Sequence, residues 1–184
     1  LEDSVLADIF DYIEDISPYM EELNIRQKAA VLSYISSDKA ASYLKSLDRE
    51  TRNSLAPLIK NSARQDIALL QSFSEEEMGS VMTTNFIQIS WKLSVKEAMK
   101  ELVKQAGEHD NISTIYVVDD QEIFYGAIDL KDLILAREGA KLPSVAMTSY
   151  PYIYAHETID DCLGRIKSYS EDSIPVLDME NRLL

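Results

Sequence analysis

Carboxylate side chains are the most abundant groups in this sequence that could do chemistry. Asp and Glu number 32 against 18 Lys and Arg, which gives a formal net charge of −14 over 184 residues. Carboxylate oxygens suit Mg²⁺, which keeps most of its hydration water and is usually held by one or two protein carboxylates. The acidic excess also argues against a nucleic-acid partner, because phosphate contacts need Lys and Arg. The alternative is a solvated acidic surface that keeps the protein soluble.

Groups that usually carry catalysis are few and scattered. The two histidines, His109 and His156, do not stand at a metal-ligand spacing, and Cys162 lies on the apolar side of a predicted helix. The five glycines are isolated, so no glycine-rich loop can cradle a phosphate. A single cysteine fits a reducing compartment, and neither a signal peptide nor a membrane-spanning apolar run is present. We therefore predict that the protein is not an enzyme.

The first part of the chain, residues 1–73, has the pattern of short amphipathic helices. Apolar residues recur at helical spacing, and polar residues suited to helix N-caps, such as Asn24 and Asp48, precede the apolar runs. Helices this short are not stable alone, so their apolar stripes must cover one another in a stack. The pattern predicts a superhelical, all-α domain with acidic outer faces.

The second part of the chain, residues 82–184, alternates strands with helices and contains an internal duplication. One copy begins at Met82-Thr83-Thr84 and the other at Met147-Thr148-Ser149, and each continues with a strand, a capped helix and a second strand. The offset of about 60 residues indicates a repeated unit. The first copy adds a strand and a helix after Ile123, whereas the sequence stops at Leu184 before their equivalents. We therefore expect this sequence to be a fragment of a longer chain.

Two motifs and the order of the segments resemble a known family. Ile115-Tyr-Val-Val-Asp119, followed by Gly126-Ala-Ile-Asp-Leu-Lys-Asp-Leu133, is the pattern of cystathionine-β-synthase (CBS) domains, which pair in tandem. A helical domain placed before such a pair resembles the cytosolic region of MgtE-family magnesium transporters. The junction between them matches that family at Phe73, Glu75, Gly79, Met82 and Thr83 and departs from it at Met78 and Val81.

The resemblance implies a multidomain fold of class α plus α/β. A superhelical all-α domain would be followed by a tandem CBS pair whose second copy is truncated. The implied bounds are 1–73 for the helical domain, 74–81 for a hinge that contains Gly79, 82–140 for the first CBS domain and 141–184 for the incomplete second one. Such regions form homodimers through their CBS domains and lie on the cytoplasmic side of the cell membrane, attached to their own transmembrane domain.

The resemblance also implies regulatory Mg²⁺ between the helical and CBS domains. Asp38 and Asp160 fall on acidic ligand positions of the family, and Lys167 falls on a position that contributes a backbone carbonyl. Ser42 and Ser170 stand where the family has further acids. We expect neighbouring carboxylates to compensate, and these complete the predicted metal set: Glu75, Asp161 and Asp172. For each acid taken alone, a solvated surface position remains the alternative.

A nucleotide is the other ligand that the resemblance implies, because CBS pairs often bind ATP or AMP. Asp132, which follows Lys131, occupies the position that holds the ribose. Thr114 and Glu171 stand at positions that are often aromatic, and a carboxylate at Glu171 disfavours phosphate. Asp132 also suits the first turn of a helix, where the macrodipole favours an acid.

The predicted function is regulation of a magnesium transporter or channel. Mg²⁺ would bridge acidic faces of the helical and CBS domains within a homodimer and thereby close the gate. The alternative is a soluble CBS regulator that binds an adenine nucleotide and a protein partner. A third interpretation, based on charge alone, is a helical scaffold for a basic partner.

Overall fold

Short helices with polar caps make up the N-terminal part, as the sequence predicts. A computed structural model describes residues 3–107, 109 and 111–184. Asn24 starts the third helix with a capping box, in which its side chain accepts from the N–H of Gln27 at 3.1 Å and the Gln27 side chain accepts from the N–H of Asn24 at 3.1 Å. The helices are α1 (Asp3–Asp11), α2 (Ser17–Glu21), α3 (Ile25–Leu32), α4 (Ser37–Ser46), α5 (Arg49–Leu55) and α6 (Asn61–Gln71).

The core of this helical part is built from one apolar stripe of each short helix. Fully buried side chains come from all six helices, namely Ala7, Met20, Val31, Leu32, Ala40, Leu55 and Leu70. Burying a large aliphatic side chain contributes about 1.5–3 kcal/mol, so the stack gives these helices a stability that none has alone.

The first copy of the duplication forms a three-stranded sheet with two helices. Strand β1 (Ile87–Ser90) lies parallel to β2 (Thr114–Val118), and β2 lies antiparallel to β3 (Phe124–Asp129). Helix α7 (Val95–Gln105) connects β1 to β2, and α8 (Leu130–Leu135) follows β3. Buried residues from the strands and both helices share one core, which includes Ile87, Ile115, Val117, Leu102 and Leu133.

The second copy repeats the same order on a smaller scale. Strand β4 (Ile153–Tyr154) lies parallel to β5 (Val176–Leu177), and α9 (Ile159–Ile166) connects them. Gly126 of β3 marks where the two copies meet, because a Cβ at this position would lie 2.6 Å from the carbonyl oxygen of Met147. The backbones of Ala127 and Met147 exchange hydrogen bonds at 3.2 and 2.8 Å beside it. Only glycine permits so close an approach.

The chain divides into two compact units. The first comprises the residues up to Glu75 together with Ser80–Thr84, and the second comprises Glu76–Gly79 and Asn85–Leu184. The hydroxyls of Ser37 and Thr84, 3.0 Å apart, join the segment Ser80–Thr84 to α4 within the first unit. The predicted combination of a helical part and a mixed α/β part is confirmed, while the superhelical course and the truncated second CBS domain remain predictions.

Candidate metal and nucleotide sites

Asp38 lies half-buried in the first turn of α4, in a backbone segment that its neighbours hold in place. The backbone N–H and the hydroxyl of Ser36 donate to the Asp11 carboxylate at 3.0 and 2.7 Å. The ammonium group of Lys39 donates to the carbonyl of Asp11, the last residue of α1, and to that of Ile13, the latter at 2.8 Å. Among the described residues, the Asp38 carboxylate itself has no hydrogen bond or ion pair, so it can accept a ligand.

The two acids of α9 differ in how they are used. Thr158 caps the helix, and its hydroxyl donates to the Asp161 carboxylate at 2.7 Å and accepts from the Asp161 N–H at 3.2 Å. Asp160 is exposed in the same turn, and its carboxylate has no partner among the described residues. The helix macrodipole favours both negative charges here. Asp160 is therefore the freer of the two predicted metal ligands.

The remaining predicted metal ligands lie at the ends of structural elements. Lys167 is the C-cap of α9, where a helix leaves backbone carbonyls without an intrahelical partner. Asp172 is exposed in the loop before β5. Glu75 is exposed in a turn after α6, and its backbone carbonyl accepts from the Ser80 hydroxyl at 3.5 Å.

The predicted ligands are divided between the two compact units. Asp38 and Glu75 belong to the first unit, whereas the other four belong to the second. Across residues 3–107, 109 and 111–184, no group of three or more His, Cys, Asp or Glu side chains is placed to hold a metal ion. The described helices also include none that is long and apolar enough to cross a membrane.

Lys131 and Asp132 lie at the start of α8, but only one of them faces a cavity. The Asp129 side chain caps this helix by accepting from the N–H of Lys131 at 2.7 Å. Lys131 lines an open cavity of about 450 Å³ together with Ser113, Asp129 and Asp172, whereas Asp132 is exposed and does not line it. The structure therefore brings a predicted nucleotide-binding lysine together with a predicted metal ligand, which the sequence pattern does not indicate.

Sequence reasoning also missed the partner of the segment Glu76–Gly79. Its backbone pairs with residues 155–159: the N–H of Met78 donates to Glu157 and that of Gly79 donates to Ala155, both at 2.9 Å. The Glu77 carboxylate lies 2.8 Å from Nδ1 of His156. Half of the predicted hinge 74–81 is thus tied to the second copy, while motion at this hinge remains a prediction. No local pattern signals a pairing between residues so far apart in sequence.

A buried tyrosine links the two copies. The Tyr116 hydroxyl of β2 lies 2.8 Å from that of Ser173, and the Tyr150 hydroxyl donates to the Ser173 carbonyl at 2.8 Å. Burial raises the pKa of Tyr116 to about 12, although the hydrogen bond with Ser173 lowers it. Burial also raises the pKa of the Cys162 thiol, which makes that thiol a poor nucleophile.

Known proteins provide an independent comparison with this geometry. Residues 78–139 match the family model of the CBS domain. The magnesium transporter MgtE of Thermus thermophilus is 25% identical over 130 residues, which cover 71% of this chain and 29% of that protein. The chain spans at most half the length of the curated relatives that it matches.

Two solved structures match along the whole chain. The soluble part of a magnesium transporter superimposes with a TM-score of 0.93 at 28% identity and covers 100% of this chain and 73% of that one. The cytosolic domain of the Mg²⁺ channel MgtE, solved in complex with ATP, gives a TM-score of 0.89 at 23% identity and covers 100% and 76%, a likeness that shows the fold alone. The resemblance seen in the sequence is confirmed: the chain contains a CBS domain and is a relative of the cytosolic region of MgtE-family magnesium transporters.

Proposed function

We propose that this chain is the Mg²⁺-sensing regulatory region of a magnesium transporter or channel, on the cytoplasmic side of its membrane. The observation that carries the proposal is the likeness, along the entire chain, to the soluble part of a magnesium transporter. The curated relatives are named as magnesium transporters, which is in line with a transport-related function for this chain. The homodimer, formed through the CBS domains, and the attached transmembrane domain are parts of the same proposal.

The proposed mechanism is a shift between an open and a closed arrangement. At low Mg²⁺, carboxylates on facing acidic surfaces repel one another, in a chain with a net charge of −14. At high Mg²⁺, hydrated ions bridge Asp38 of the helical domain and Asp160 of the second copy, supported by Glu75, Asp161, Asp172 and the carbonyl of Lys167. Each tenfold preference of an ion for the closed form shifts the equilibrium by about 1.4 kcal/mol.

The local geometry of the two leading ligands supports this mechanism. Asp38 and Asp160 each lie in the first turn of a helix, and neither carboxylate has a partner among the described residues. Mg²⁺ retains several water molecules, so an ion held by one carboxylate from each surface is chemically sufficient. A single millimolar site contributes only about 4 kcal/mol, and several such ions acting together give a steep response.

Small-angle scattering with limited proteolysis tests the mechanism directly. We expect millimolar MgCl₂ to reduce the radius of gyration and to protect residues 74–81 from cleavage. NaCl at equal ionic strength should reproduce the effect only in part, because screening weakens repulsion without bridging. An unchanged radius of gyration together with unchanged cleavage would contradict the proposal.

Charge-neutral variants identify the ligands. The double variant Asp38→Asn, Asp160→Asn should move the Mg²⁺ midpoint upward by about tenfold, since each ion loses a carboxylate. The double variant Glu22→Gln, Glu180→Gln is the matched control, because it removes the same number of charges from two exposed acids outside the predicted metal set. Equal shifts in both proteins would mean that only total charge matters.

Adenine nucleotide binding is a second candidate function, favoured by the 450 Å³ cavity beside Lys131. The structural relative solved with ATP motivates the same test here. Asp172 lines this cavity and would repel a polyphosphate, so we expect weak ATP binding that Asp172→Asn strengthens and Lys131→Gln weakens. Calorimetric titration with ATP checks both directions, and Asp132→Asn tests the predicted ribose contact. Nucleotide binding without any response to Mg²⁺ would favour the soluble CBS regulator.

A further inference from the structure

The helical unit contains a cavity of about 490 Å³ that the magnesium mechanism does not use. Apolar side chains of Leu44, Ile59 and Ile67 form part of its wall. Although the chain carries 32 acidic residues, no Asp or Glu lines this cavity among the described residues. Its polar lining consists of two arginines and four carboxamides: Arg52, Arg64, Asn53, Asn61, Gln65 and Gln71.

Two of these lining residues carry buried polar atoms that lack a hydrogen-bond partner. They are Nε of Arg52 and Nε2 of Gln71, and both are N–H donors. No other buried side-chain nitrogen or oxygen in the described part of the chain lacks a partner. Buried donors without acceptors are rare in proteins because they cost free energy. Both atoms belong to residues of the same cavity wall, so two donors of this wall have no acceptor in reach.

The arginines also bring uncompensated positive charge. A terminal nitrogen of Arg52 donates to the carbonyls of Lys45 and Leu47, at 3.2 and 2.8 Å, at the C-terminal end of α4. Arg64 donates to the side-chain oxygen of Asn61 at 3.0 Å. Neither guanidinium group forms an ion pair with a carboxylate of the described residues. In a strongly acidic protein, this cavity wall therefore carries a local excess of positive charge.

We propose that the cavity binds a small organic anion whose carboxylate or phosphate group is joined to an apolar body. The oxyanion would accept from Arg64 and from the donors around Arg52 and Gln71, since guanidinium groups bind such oxygens strongly. The apolar body would pack against Leu44 and Ile67. A cavity of this volume falls within the range of small-molecule sites in proteins.

Titration with three related probes tests the chemistry of the site. Benzoate and phenyl phosphate carry the two forms of the anion on the same ring, and benzamide is a neutral analogue of benzoate. We expect both anions to shift the NMR signals of the Arg52 Nε–H and the Gln71 side-chain amide, and benzamide to bind at least about tenfold more weakly. The stronger of the two anions identifies the natural headgroup. Equal binding of benzamide and benzoate, or no shift with any probe, would overturn the proposal.

Variants then locate the site. Arg64→Gln removes an exposed charge whose guanidinium group hydrogen-bonds to the Asn61 side chain, so folding should persist while the affinity for the anion falls by about tenfold. Gln71→Glu places a carboxylate in the cavity and should reduce binding similarly by repulsion. Arg26→Gln is the matched control, since Arg26 is exposed on α3 and does not line the cavity. Unchanged affinity in Arg64→Gln, or an equal loss in the control, would contradict the assignment. This readout does not depend on Mg²⁺, so it can fail or succeed independently of the proposed function.

Discussion

The two copies within residues 82–184 have nearly the same turns and helix caps, but their second strands differ in length and in burial. Asp119 and Asp178 begin equivalent turns, in which each carboxylate accepts two backbone N–H groups. Three residues later, Glu122 and Asn181 both adopt a φ of 63°. The agreement in these details supports an origin by duplication.

The copies differ in what their second strand contacts. All five residues of β2 are buried, because this strand lies between β1 and β3 and is covered on both faces. The equivalent β5 has two residues in a two-stranded sheet, and one of them, Val176, is only half-buried. Caps and turns depend on neighbours in sequence, whereas burial depends on neighbours in space. Mutations in the two copies can separate these contributions.

Replacing Gly126 should have the largest effect. A Cβ in Gly126→Ala would meet the Met147 carbonyl oxygen at 2.6 Å, and this obstacle is backbone that cannot rotate away. We expect a loss of about 2–3 kcal/mol in the free energy of unfolding, measured by urea denaturation. Gly164→Ala in α9 is the control, since nothing lies within 4 Å of its Cβ position and alanine favours a helix by about 0.5–1 kcal/mol. If both variants changed the free energy of unfolding by the same amount, the close approach at Gly126 would not be what destabilises Gly126→Ala.

Burial of Tyr116 between the two copies should make the free energy of unfolding depend on pH. Its folded pKa of about 12 lies above the value of about 10 expected in the unfolded chain, so unfolding favours loss of the proton. The resulting stability is present below pH ~10 and is lost as the pH rises to ~12, amounting to about 2–3 kcal/mol. Tyr116→Phe should remove this loss, although at neutral pH it costs about 1 kcal/mol for the hydrogen bond with Ser173. Parallel stability profiles of the two proteins between these pH values would contradict the prediction.

Removing the N-cap side chains of α7 and α9 should cost less stability than the changes at Gly126 and Tyr116. Ser94 and Glu97 form a capping box on α7, in which the Ser94 N–H donates to the Glu97 carboxylate at 2.8 Å and the Glu97 N–H donates to the Ser94 hydroxyl at 3.4 Å. On α9 the Thr158 hydroxyl accepts from the Asp161 N–H at 3.2 Å and donates to the Asp161 carboxylate at 2.7 Å, but among the described residues that carboxylate does not accept from the Thr158 N–H, so the reciprocal backbone bond of a capping box is missing. We expect Ser94→Ala to cost about 1–1.5 kcal/mol and Thr158→Ala about 0.5–1 kcal/mol in thermal unfolding. A larger loss from Thr158→Ala would reverse this ranking.

Exchanging Glu122 and Asn181, the two turn residues with a positive φ, should change the free energy of unfolding least. Asn tolerates the left-handed conformation better than Glu, so Glu122→Asn should stabilise the protein by about 0.5 kcal/mol. The reverse change, Asn181→Glu, should destabilise it by more, because the side-chain oxygen of Asn181 also accepts from the Tyr154 hydroxyl at 2.8 Å. Differential scanning calorimetry of both variants measures the difference, and a destabilised Glu122→Asn would show that this backbone strain is compensated elsewhere.

The sequence by itself determined the local elements of this protein. The N-cap residues Asn24, Asp48, Ser94 and Thr158 and the helical spacing of apolar residues depend on interactions within about four positions, which are readable along the chain. The resemblance to a known family singled out Asp38 and Asp160, and the repeated motifs revealed the duplication and the likeness to CBS domains.

Only the tertiary structure decided which distant groups meet. The pairing of Glu77 with His156, the shared cavity of Lys131 and Asp172, and the unpaired donors of Arg52 and Gln71 leave no periodic trace in the sequence. Each results from packing between segments whose relative positions depend on the whole core. A local pattern sets the direction of a side chain relative to its own helix or strand, but not what lies opposite it.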